Sequence, residues 1–190
     1  FSRRTLEVMR QPLEDGRVTI SRALQSTDFP ADFMLVAALN PCPCGYRADP
    51  GRACRCTPPQ VERYMAKVSG PLLDRIDIHI EVPAVKYDQL SSSSEGTTSE
   101  SIRQLVERAR RVQRERFDGL STRFNAQMTS RQTRTFCRLD REGQERVRQN
   151  LEQLGLSARA YDKILRLART IADVEEQPEV LPAHVSEAIN

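Results

Sequence analysis

Four cysteines fall in two short pairs, Cys42-Pro43-Cys44 and Cys54-Arg55-Cys56, with nine residues between the pairs. Four thiolates suit tetrahedral zinc at a closed, structural site. A chain kept in reducing surroundings does not normally hold structural disulfides, so paired cysteines point first to a metal. Cys-x-Cys is shorter than the commoner Cys-x2-Cys knuckle, and reduced thiols or a disulfide formed during preparation stand beside zinc as alternatives. Arg47, Arg52 and Arg55 lie close in sequence and favour the deprotonated thiolate. The fifth cysteine, Cys137, stands alone in a helical pattern and reads as a small buried hydrophobe.

A second set of residues flanks the cysteines. Asn40 precedes them directly, at the end of an apolar run, where a side-chain amide holds either a water or phosphate oxygen or its own backbone. Arg75 follows Leu72-Leu73-Asp74. A guanidinium delivered from a neighbouring subunit stabilises the charge that builds in phosphoryl transfer. The competing reading is an ion pair with Asp74 or Asp77. Arg159 lies in the first turn of a helix, beside its apolar stripe, and is either solvated or reaches across a domain interface. Arg22 ends a strand-like arm, where it can track a phosphate backbone. His79 and His184 read as ordinary surface residues, and no Ser–His–Asp or Cys–His arrangement emerges.

These residues need elements to hold them. Residues 2–13 have helical spacing, with Ser2 as N-cap. Glu14-Asp15-Gly16 signals a turn, and Val18-Thr19-Ile20 alternates like one arm of a hairpin. The continuous apolar run 33–39 predicts a strand buried on both faces of a parallel sheet, with Asn40 at its carboxyl end. The cysteine loop covers 41–57. Thr57-Pro58 opens a helix to about residue 68, Ser69 caps a shorter one, and the alternation over 76–82 predicts a strand with one wet face. A serine-rich linker follows at 91–98. Beyond it the pattern predicts helices near 99–117, 129–138, 140–154, 157–175 and 182–189, with N-caps at Asp140 and Ser157 and a C-cap at Gly155.

The 190 residues suit one large domain or two small ones. Net charge is +3 and hydrophobic content 38% with no tryptophan, so the core is aliphatic and the balance gives no large nucleic-acid footprint. The locally basic stretch 103–116 reads as a solvated helix face. No run approaches the length of a membrane helix, and the absence of a signal peptide suggests a cytoplasmic protein. Phe1 already lies in a helical pattern, which suggests part of something longer.

Arg10-Gln-Pro-Leu-Glu-Asp-Gly16, Ile20-Ser-Arg-Ala23, Ala37-Ala-Leu-Asn-Pro-Cys-Pro-Cys-Gly45, Ser69-Gly-Pro-Leu-Leu-Asp-Arg-Ile-Asp77, Ser157-Ala-Arg-Ala-Tyr161 and Ala168-Arg-Thr-Ile-Ala-Asp173 together resemble the ComM/YifB family. These are bacterial magnesium-chelatase-like AAA+ ATPases. The resemblance implies an α/β fragment of an AAA+ P-loop ATPase core, residues 1–90, then the linker and an all-α helical lid at 99–190. No Gly-x4-Gly-Lys-[Ser/Thr] phosphate loop occurs here, and the acidic Mg²⁺ motif is also absent. By position, Asn40 resembles the sensor 1 residue, Arg75 the arginine finger that acts on ATP of the next subunit, and Arg159 the sensor 2 arginine. The arm ending at Arg22 resembles the pre-sensor 1 hairpin, which grips DNA in related helicases. The paired cysteines fit the family pattern, although the resemblance does not settle their metal.

The resemblance implies a homo-hexameric ring that uses ATP and Mg²⁺ to drive branch migration on DNA during transformation. Two further readings stand beside it: a chelatase-type subunit that drives metal insertion into a tetrapyrrole, and a zinc-stabilised binding module without catalysis. The 190-residue chain by itself is expected not to bind or hydrolyse ATP.

Overall fold

A computed structural model of the chain describes residues 2–23, 25–47, 49–83, 96–155 and 157–189. It divides into two compact units, Phe1–Ser92 and Ser93–Asn190. Most of the linker expected at 91–98 lies outside the described residues.

In the first unit, the helix expected over 2–13 forms as two pieces, α1 (Arg3–Val8) and α2 (Arg10–Asp15). Pro12 accounts for the break. It has no N–H to give to the carbonyl of Val8, and its ring crowds that carbonyl. Ser2 caps α1 by accepting from the Thr5 N–H at 3.1 Å. Gly16 ends α2 with φ of 63°, a left-handed conformation that favours glycine. Strands β1 (Arg17–Arg22) and β2 (Gln25–Pro30) then form an antiparallel hairpin, with Arg17 opposite Pro30 and Arg22 opposite Gln25. Strand alternation places Val18, Ile20 and Arg22 on one face with Phe29, and Thr19 and Ser21 on the other. On that polar face Thr19 donates to Asp28 at 2.6 Å.

Two expected strands are corrected. Residues 33–39 and 76–82 carry no strand among the described residues. Met34 is 87% exposed and Val36 82%, the opposite of a strand buried on both faces. A strand persists only where a neighbour takes up its backbone N–H and C=O groups. The hairpin is the one sheet among the described residues, and neither segment pairs with it. Among the described residues, the remaining elements of this unit are α3 (Pro58–Met65) and α4 (Gly70–Leu73). Thr57 and Gln60 form a reciprocal capping box on α3, and Ser69 caps α4.

The second unit is helical: α5 (Ser99–Arg116), a 3₁₀ turn (Asn125–Gln127), α6 (Ser130–Phe136), α7 (Arg141–Leu154), α8 (Ala158–Val174) and α9 (Pro182–Ile189). The caps fall where the sequence places them. Asp140 accepts from Gly143, Ser157 from Ala160, and Gly155 closes α7 with φ of 60°. Val147, Ile164, Ala168, Val180 and Val185 make one core cluster, and Phe117, Met128, Cys137 and Leu165 another. Phe117 meets Phe136 edge to face at 5.6 Å, the geometry that ring quadrupoles prefer. Among the described residues no helix is long and apolar enough to cross a membrane.

Candidate metal centre and nucleotide-facing residues

The loop after Asn40 folds the two cysteine pairs onto each other. A turn closed by the Gly45 N–H on the Cys42 carbonyl at 3.0 Å brings Cys44 back beside Cys42. Gly45 makes this turn at φ of 84°, which a side chain would strain. The Sγ atoms of Cys42 and Cys44 lie 3.4 Å apart, those of Cys42 and Cys54 3.7 Å, and those of Cys44 and Cys54 3.6 Å. All four cysteine sulfurs, Cys56 included, fall within 4.8 Å of one another.

These separations test the metal reading. A bond of about 2.3 Å from zinc to each sulfur places tetrahedral ligands about 3.8 Å apart. The observed spacings sit near that edge and well beyond the ~2.05 Å of a disulfide. The residues therefore fit a zinc-sized soft cation. Local hydrogen bonds already prepare one ligand: backbone N–H groups of Tyr46 and Arg55, with the Cys42 thiol, bring the Cys44 pKa down to about 6. Desolvation pushes Cys56 up to about 12, a cost that a bound cation would remove. Outside the cluster, Arg52 donates to the Tyr46 hydroxyl at 2.9 Å and stacks on its ring.

Asn40 sits against this loop. Its side-chain carbon and nitrogen lie 3.9 Å from where a Cβ on Gly45 would stand, so the cysteine turn and the asparagine share one wall. Arg75 follows α4, and its guanidinium is folded inward with its side chain 12% exposed. It donates to the Pro71 carbonyl at 2.6 Å and forms an ion pair with Glu14 at the end of α2. Glu14, sixty-one residues away in sequence, is thus an ion-pair partner of Arg75. Arg22 is exposed at the end of β1, beside the hairpin turn. Arg159 is exposed in the first turn of α8, in the other unit. The structure thus brings the four cysteines and Asn40 together, and holds Arg75 by Glu14.

Sequence reasoning missed two buried polar arrangements in the helical unit. The Asp173 carboxylate is fully buried and takes both nitrogens of the Arg116 fork, Arg169 Nε at 3.0 Å and Asn125 Nδ2 at 2.8 Å. Arg169 also donates to the carbonyls of Pro178 and Gln177, at 2.8 and 2.5 Å. Burial pushes the Arg169 guanidinium below its ordinary value, and Asp173 opposes that shift. The i,i+4 spacing of Arg169 and Asp173 was the one available signal. His184, expected at the surface, is 2% exposed. The Leu181 N–H donates to its Nδ1 at 2.9 Å, so Nε2 carries the proton and meets Glu175 at 2.9 Å. Three residues past Leu181, His184 caps α9 in the way a glutamate closes a capping box.

Two family models match the chain. Residues 1–90 match "Magnesium chelatase, subunit ChlI", and residues 96–190 match "Magnesium chelatase, subunit ChlI C-terminal". The competence protein ComM of Haemophilus influenzae is 40% identical over 190 residues, which is all of this chain and 36% of that protein. The protein YifB of Escherichia coli is 39% identical over 191 residues, all of this chain and 37% of its own length. An uncharacterised protein of Mycobacterium bovis is 36% identical over 169 residues, 89% of this chain and 33% of its own. The chain thus spans about a third of the length of the curated relatives it matches.

Proposed function

The chain belongs to the ComM/YifB magnesium-chelatase-like family, and from that premise we propose that it is part of a ring-forming AAA+ ATPase that moves DNA. Residues 1–90 supply the back half of the ATPase core and residues 99–190 the helical lid. The single observation that carries this reading is the unbroken similarity, over all 190 residues, to a protein named for competence. Competence is the uptake of DNA, and a branch-migrating motor suits that setting.

In this reading Asn40 orients the water that attacks the γ-phosphate. Arg75 completes the site of the neighbouring subunit, and Arg159 carries the lid to the nucleotide. Arginine suits these tasks because its charge is permanent and its donors form a planar fork. ATP and Mg²⁺ are held by a phosphate loop and acidic motif that this sequence does not contain, so the activity belongs to a homo-hexameric ring of the whole protein. The cysteine cluster holds structural Zn²⁺ and braces the loop on which Asn40 stands. Arg22, exposed beside the hairpin turn, is the DNA contact.

The name of the matching family model favours a second reading, a chelatase-type subunit that spends ATP on metal insertion into a tetrapyrrole. DNA-stimulated ATPase of the full-length protein decides between them. Stimulation that disappears in Arg22→Ala, with basal hydrolysis retained, is expected of the motor. A rate indifferent to DNA but raised by a porphyrin-loaded partner would overturn it.

A further inference from the structure

We propose that the helical unit carries a second nucleic-acid surface, a groove between α6 and α7 that takes a single strand. Arg134, Arg138 and Arg148 rim the groove with Tyr161, and Cys137 and Leu165 lie at its floor. Its volume of about 620 Å³ is in the range that houses a nucleotide-sized group.

The charge distribution asks for a polyanion. Net charge over the whole chain is only +3, yet the stretch that supplies Arg134 and Arg138 of the rim is locally basic. Residues 119–139 hold four arginines and no carboxylate. Arg131, Arg134 and Arg138 are exposed, and among the described residues none of them has an ion-pair partner. Arg148 is paired with Glu145 and Glu152, while Asp162 accepts from the neutral Ser130 hydroxyl at 2.7 Å and keeps its charge, so Arg134 and Arg138 are the rim cations left for phosphate.

The residue types favour a nucleic-acid strand over an acidic peptide. All the rim cations are arginines, whose planar fork matches two phosphate oxygens at once. Arg131 and Arg134 are three residues apart on α6 and share one face, so they meet successive charges along a strand. Tyr161 is 36% exposed at the groove, where a base can stack on its ring. Such a site is indifferent to sequence, because every base offers a π-face.

This surface is independent of the hairpin reading, and nucleotide-free binding separates the two. The full-length protein is titrated with a fluorescein-labelled thirty-nucleotide oligo-dT over a range of salt. Arg134→Ala/Arg138→Ala is expected to weaken binding and to lower the log–log salt slope by about 1.4, two phosphate contacts at ~0.7 each. Arg134→Lys/Arg138→Lys keeps the charge and is expected to keep the slope, with far-UV circular dichroism confirming the fold of both. Arg22→Ala is expected to leave residual binding that disappears when combined with the double alanine variant. An unchanged slope in the alanine variant, or complete loss of binding in Arg22→Ala alone, would overturn the proposal.

Discussion

The guanidinium of Arg75 is paired with the carboxylate of Glu14, a residue sixty-one positions earlier that lies at the end of α2. In this subunit the proposed finger is therefore stowed. On the proposed function it would exchange this carboxylate for a phosphate of the next subunit.

That exchange separates the two residues kinetically. Arg75→Ala in the full-length protein is expected to lose about 10³-fold or more in ATP hydrolysis, the scale of a missing arginine finger. Glu14→Gln is expected to stay within roughly fivefold of the parent rate, since a part-exposed ion pair is worth up to about 1 kcal/mol. Mixing Arg75→Ala subunits with subunits dead in the phosphate loop should restore part of the activity. Steady-state rates of the mixtures check this, and no recovery at any ratio would argue against action in trans.

The cysteine cluster is expected to carry one zinc per chain, measured by plasma emission on protein purified without chelator. Cys44→Ser should lower that content. Binding requires thiolates, so protons compete with the metal and affinity rises with pH. Backbone hydrogen bonds bring Cys44 down to about 6, whereas desolvation holds Cys56 up at about 12. Zinc release, followed with a chromophoric chelator, should therefore grow steadily as the pH falls.

Thiol chemistry distinguishes the fifth cysteine. Cys137 is 3% exposed, and desolvation pushes its pKa up to about 12. In chelator-treated native protein at mildly alkaline pH, Cys44 is expected to react first with an aromatic disulfide reagent. Cys137 is expected to stay silent until denaturant is added. Fast labelling of Cys137 in the folded protein would place it outside the core.

The Asp173 carboxylate is the hub of the helical unit. Asp173→Asn leaves Arg116 and Arg169 without a counter-charge while their surroundings stay dry. It is expected to cost about 3–5 kcal/mol, the scale of breaking a buried pair from one side. Ser130→Ala removes an exposed hydrogen bond to Asp162 and should cost about 1 kcal/mol or less. Urea unfolding of both variants gives the comparison, and equal midpoints would show that the buried network is dispensable.

Much of the second unit was legible in the chain, because helices are local. Asp140, Ser157, Gly155 and Pro182 mark ends that the structure keeps within a residue or two. The pairing of Cys42-x-Cys44 with Cys54-x-Cys56 was legible for a similar reason, since a loop so short closes cheaply. Residues 33–39 and 76–82 were misread as strands because alternation and apolar runs say only that a segment suits a sheet. They do not supply the neighbour whose N–H and C=O groups make one. His184 was misread because its burial depends on how α9 packs against α7 and α8.

By itself, the sequence determined the helical caps, the thiol spacing, and the placing of Asn40 and Arg75 on either side of the cysteine loop. Those features depend on residues within a turn or a short loop of each other. Only the tertiary structure decided which charges meet: Arg75 with Glu14, and Arg116 with Asp173 fifty-seven residues away. A guanidinium accepts any carboxylate that comes within reach. The choice among them is made by how the chain packs, which no local spacing records.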